Sequence, residues 1–185
     1  MDMLEDYGLT EDDAAVQPQW KLKKKKAIRK KTEYIMSIVE RMISVNGSAD
    51  SSTITPQQRT LIDKCVQETY KEYLKHDFDP SYMPTLLDLQ EVLNSKKSES
   101  EDAEKVAEGI EYYTTGSMNV FSHHTNININ NRFVVFNVRD LGEQLKQVAL
   151  IIVFDFIWNR MVENKFKGIR TYCYCDEIHV MFQSY

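Results

Sequence analysis

Near its C-terminal end the chain reads TYCYCDEIHVMF, residues 171–182. Three kinds of chemistry are open to these residue types. Asp176 and Glu177 follow an apolar run and could divide two tasks. One carboxylate would hold a hydrated magnesium ion, and the other would polarise an attacking water. On a strand, neighbouring side chains point to opposite sides, so the two acids need not compete for one position. Cys173, Cys175 and His179 have the side chains of zinc ligands. Two thiolates on one tetrahedral zinc, at about 2.3 Å each, would lie roughly 3.8 Å apart. Alternate residues of a regular strand are roughly 6.5–7 Å apart, which disfavours the zinc set. The plain alternative is a core strand with two small buried thiols packed under a helix. His123 and His124 have no second cluster beside them and read as loop residues.

An apolar strand that ends in Asp-Glu has the form of a Walker B element, and ligands of open α/β sheets sit at such strand ends. A phosphate cradle would need G-x-x-x-x-G-K-[ST]. The six glycines are Gly8, Gly47, Gly109, Gly116, Gly142 and Gly168, and none is followed by Lys and then Ser or Thr. The sequence therefore holds a metal-side acid pair without a phosphate-side loop. A second charged feature is KLKKKKAIRKK, residues 21–31, with eight positive charges. Lys23, Lys24, Lys25 and Lys26 could contact DNA or another anion. No aromatic stacking residues are interleaved with them. A solvated helix start that answers Asp2, Glu5, Asp6, Glu11, Asp12 and Asp13 is the simpler reading.

These groups must be positioned by ordinary elements. From about Ala27, Ile28, Ile35, Ile38, Val39 and Met42 recur at helical spacing, and residues 45–47 end that helix. Thr55, Pro56 and Gln58 form the start signal of a second helix, with Leu61, Ile62, Cys65, Val66, Tyr73 and Leu74 on one face. Thr85 with Asp88 opens a third, which carries Leu86, Leu89, Val92 and Leu93. Ala103, Val106, Ala107, Ile110 and Tyr113 mark a fourth, which ends near Gly116. The pattern then changes. Residues 132–138, RFVVFNV, read as a strand. Asp140 with Glu143 would cap a helix to about Lys165 that is apolar nearly all round and so buried on more than one side. Gly168 stops it, and the final strand follows. Strand, helix and strand make a βαβ unit with parallel strands. The expected fold class is thus α/β. The divisions are an acidic then basic segment over 1–27, a helical sub-domain over 28–117, and the βαβ part over 118–185.

The bulk numbers agree with a globular chain. It has 185 residues, 42% apolar and 28% charged, enough for one domain with a sub-domain. A net charge of −5 leaves nucleic-acid binding to a local patch. Three cysteines do not make a disulfide framework and fit a reducing, intracellular setting. The acidic opening MDMLEDYGLTEDD has no apolar h-region, so no signal peptide is expected. The most apolar stretch, 148–158, is too short to span a bilayer and contains Asp155.

The succession DKCVQETYKEYL, PTLLDLQEVL, EYYTTGSMNVFSHHTNININNRFVVFNVRDLGEQLKQVALIIVFDFIWNRM and TYCYCDEIHVMF resembles the large conjugation ATPase of type IV secretion systems, in its Gram-positive mobile-element form. The resemblance covers nearly the whole chain. Its most specific parts are the GSMNVF turn, the DLG helix opening and the WNRM helix end before the acidic pair. It implies a RecA-like P-loop ATPase domain with an all-α insertion of about four helices. Of that domain this chain would be an internal fragment, with the Walker A loop upstream and further strands downstream. Asp176 would then hold Mg²⁺ through water, Glu177 would be catalytic, and no cradle residue carries over. The implied role is ATP hydrolysis that powers conjugative DNA transfer or secretion, with ATP and Mg²⁺ as cofactors of the full-length protein. The implied partners are other secretion components, at the cytoplasmic, inner face of the membrane. The chain alone should be inactive. Two other roles are open on the residues themselves: a non-catalytic module that binds an ATPase or channel partner, and DNA binding through the lysine run. Two strands without neighbours would leave a sheet edge and apolar helix faces exposed, so self-association is expected.

Overall fold

The computed structural model describes residues 19–46, 54–126, 129 and 131–176; the side chains of residues 19–28, 45 and 46 are not among them. The chain divides into two compact units, one of Ile28–Val135 and one of Met1–Ala27 with Phe136–Tyr185.

The Ile28–Val135 unit is helical. Helix α1 spans Gln19–Asn46 and contributes its residues from Ile28 onward. Ile35, Ile38, Val39 and Met42 are buried, as their spacing predicts. The helix begins before the expected start near Ala27. Lysine and glutamine are good helix formers, so the backbone stays helical where the apolar period has not yet begun. Helix α2, Pro56–Thr69, opens on the expected capping box. The Thr55 N–H donates to Gln58 Oε1 at 3.0 Å, and the Gln58 N–H donates to Thr55 Oγ1 at 3.2 Å. The expected continuation to Leu74 is divided at Tyr70, which closes α2 and opens the short helix α3, Lys71–Lys75. Ile62, Cys65, Val66, Tyr70 and Tyr73 nevertheless form one buried face.

Helix α4, Leu86–Ser95, starts where Thr85 and Asp88 predict. The Asp88 carboxylate accepts from the Thr85 N–H at 2.6 Å and from its hydroxyl at 2.7 Å. Helix α5, Glu101–Thr114, buries all five of its expected core residues: Ala103, Val106, Ala107, Ile110 and Tyr113. Gln90, only 3% exposed, ties α4 to α5. Its Nε2 donates to the Ala107 carbonyl at 3.0 Å, and its Oε1 lies 3.2 Å from the Thr114 hydroxyl. Gly109 lets α1 approach α5, because a Cβ there would stand 2.7 Å from Ile43 Cγ1.

In the second unit, helix α6 spans Glu143–Phe166. Gly142 precedes it, and Asp140 lies in a turn instead of capping it. Its end is as expected. Gly168 adopts φ 69° and donates to the Lys165 carbonyl at 3.1 Å, while the Ile169 N–H reaches Asn164 O at 2.8 Å. These two bonds are a Schellman closure, which needs a residue tolerant of left-handed backbone. The burial expected on more than one side of α6 is not found. Leu145, Val148 and Ala149 are buried in a single stripe, and Trp158 is 66% exposed.

The α/β expectation is overturned. None of the described residues forms a strand, and the chain is helical, so it is not a RecA-like βαβ unit. Residues 132–138 and the described part of the final run, 171–176, are irregular. Aromatic and β-branched residues favour a strand only where a neighbour takes the backbone hydrogen bonds and covers the side chains. Here Phe133 is 84% exposed, without such cover among the described residues.

Candidate functional site

The residues singled out by sequence meet unevenly. Asp176 is exposed, in a turn directly after the irregular run 171–175. Glu177 and His179 lie outside the described residues. Among the described residues, no three His, Cys, Asp or Glu side chains come together as a metal site. Asp176 therefore has no described partner with which to build a magnesium site. Lys23, Lys24, Lys25 and Lys26 lie on α1, with side chains outside the described set. His123 and His124 are exposed loop residues, as expected.

Cys173 and Cys175 depart from expectation. They are exposed free thiols, not buried packing under a helix. Their sulfurs lie 3.7 Å apart, far closer than roughly 6.5–7 Å along a regular strand. Tyr174, between them, is 91% exposed. Local desolvation and the adjacent Cys175 sulfur hold the Cys173 thiol above its ordinary pKa. Cys65 is different: it is fully buried in α2, and burial pushes its thiol up.

Helix α6 positions this segment. After the Schellman closure, Asn164 Nδ2 donates to Thr171 Oγ1 at 2.7 Å and fixes where the run begins. Phe136 packs edge-on against Phe156, with ring centres 5.5 Å apart. On the last turns Glu163 pairs with Lys167 and, at 3.7 Å, with Arg160. The Lys167 hydrogen bond, with help from the Arg160 charge, holds the Glu163 carboxyl below its usual range. Beside this polar edge stand exposed apolar groups: Trp158, Phe166, Ile169, Tyr172 and Tyr174. The sequence predicts an exposed sheet edge together with exposed apolar helix faces, and the described residues form no sheet edge. The structure shows the apolar groups on a helix and the irregular run that follows it. No helix among the described residues is long and apolar enough to cross a membrane. In scans against family models, curated proteins and solved structures, no match to this chain is found.

Proposed function

We propose that this chain is a binding component of a conjugation or type IV secretion ATPase assembly and does not hydrolyse ATP by itself. The observation that carries the binding role is the exposed aromatic surface of α6 and the run after it, with Trp158, Phe166, Tyr172 and Tyr174 more than half exposed. Large rings in such number, rimmed by the charged pair of Glu163 and Lys167, are the composition of a protein-binding surface. The order of the GSMNVF turn, the DLG helix opening, the WNRM helix end and the acidic pair supports the choice of partner. The sequence has no G-x-x-x-x-G-K-[ST] loop to cradle phosphates, which supports the non-catalytic part.

A narrower reading makes the chain part of the ATPase polypeptide itself, with Asp176 and Glu177 as its magnesium-side acids. It rests on the order of the sequence motifs alone, since no metal-binding group forms around Asp176 among the described residues. Both readings expect the purified chain to release no phosphate from ATP. Clear turnover that Glu177→Gln abolishes would overturn the non-catalytic reading. Immobilised chain should retain the full-length conjugation ATPase at micromolar concentration, and Trp158→Glu should weaken that at least tenfold. Absence of binding at that concentration would overturn the docking role.

A further inference from the structure

The contact between Cys173 and Cys175 is independent of that proposal. Their sulfurs touch at 3.7 Å, both are exposed, and the chain that carries them has no regular element to resist a small closure. A disulfide bond of about 2.05 Å needs the sulfurs to approach by roughly 1.7 Å. Only Tyr174 lies between them, so the ring is short. Such a bond gains little from restricting the unfolded chain, and a strained, exposed disulfide is readily reduced. With no third ligand beside them among the described residues, the pair is built for sulfur–sulfur exchange more than for a closed metal shell.

We propose that Cys173 and Cys175 are a reversible dithiol–disulfide couple that exchanges with disulfides of the glutathione class. The Cys175 thiolate attacks one sulfur of the disulfide. A mixed disulfide forms, the original sulfur–sulfur bond breaks, and one glutathione leaves as thiolate and takes a proton from water. Cys173 then gives its proton to water and attacks the Cys175 sulfur, which expels the second glutathione. Two protein thiols are oxidised and one disulfide is reduced to two thiols. Both sulfurs are exposed and in contact, so either can attack first and leave the other to resolve.

The chain itself supplies the assay. Trypsin cuts after Arg170, and residues 171–185 hold no Lys or Arg, so both cysteines leave in one peptide. Cys65 leaves in another, between Lys64 and Lys71. Full-length protein is equilibrated in glutathione buffers of stepped ratio, quenched in acid, unfolded, alkylated and digested. In oxidising buffer the 171–185 peptide should be unalkylated and about 2 Da lighter, the loss of two hydrogens, and should revert in reducing buffer. The Cys65 peptide should be alkylated throughout. Cys173→Ser should leave a lasting glutathione adduct on Cys175 that the natural chain shows only in passing. Two adducts on one peptide, disulfides only between chains, or thiols that stay reduced at every ratio would each overturn the couple. So would a zinc ion that stays on the purified protein and blocks both sulfurs.

Discussion

Tyr70 closes one helix, opens the next and is 8% exposed. Burial, with Tyr73 adding to it, pushes its phenol up to about 12. The fold therefore favours the neutral ring. An unfolded tyrosine releases its proton near about pH 10, so the folded state keeps a proton that the unfolded state has lost. The stabilising contribution is fully present below about pH 10 and is lost as pH rises toward about 12. Two units correspond to at most about 2.7 kcal/mol. Cys65, Tyr73 and Tyr113 are shifted up by burial and pull in the same direction. Urea unfolding at about pH 9 and about pH 11.5 should show a marked loss of stability in the natural chain. In Tyr70→Phe the loss should shrink but not vanish. Equal losses in the two proteins would mean that Tyr70 does not carry the effect.

At the scale of elements, Gly168 decides where α6 stops. With φ at 69°, an added Cβ would meet its own backbone, although nothing else lies within 4 Å of it. Gly168→Ala should cost about 1 kcal/mol, and Gly168→Asn less, because asparagine tolerates this conformation. The check is amide exchange at Ile169, whose N–H bonds Asn164 O: it should quicken in the alanine variant and change less in the asparagine one. An unchanged rate would show that the closure does not depend on glycine. Features of this kind were legible in the sequence because they are local. Thr55 with Gln58, Thr85 with Asp88, and Gly168 each act within a few residues, and each does what its spacing predicts. The four-helix reading of residues 28–117 drew on the same short-range period. Among the described residues neither expected strand forms, because a strand is a non-local object. The run 132–138 has strand composition, yet no described neighbour accepts its hydrogen bonds. The role of Gln90 is not legible in the sequence, since a glutamine at a helical position signals burial only once Ala107 and Thr114 face it. The sulfur contact of Cys173 and Cys175 needs the two side chains to lean together, which a regular strand does not favour.

For the molecule as a whole, the division into two units leaves an uneven distribution of cover. In Ile28–Val135 each of α1 to α5 buries apolar residues, although Phe133 and Val135 near its end stay exposed, whereas α6 buries one stripe and leaves Trp158 and Phe166 in solvent with Tyr172 and Tyr174 after it. Covering such rings is favourable, but association costs freedom of motion and exposed tyrosines are seldom covered completely, so self-association through them is expected to be weak. Sedimentation velocity should show a monomer at low concentration and a larger species at roughly tens of micromolar. Salt separates the possible causes. Contact through apolar rings should persist or strengthen in sulfate, whereas contact between the lysine run and the acidic N-terminal segment should weaken as ionic strength rises. Trp158→Ser with Tyr174→Ser should shift the equilibrium toward monomer, and replacement of Lys23, Lys24, Lys25 and Lys26 by Gln should leave it unmoved. If the lysine replacements dissolve the larger species and the aromatic ones do not, the exposed rings are not what brings two chains together.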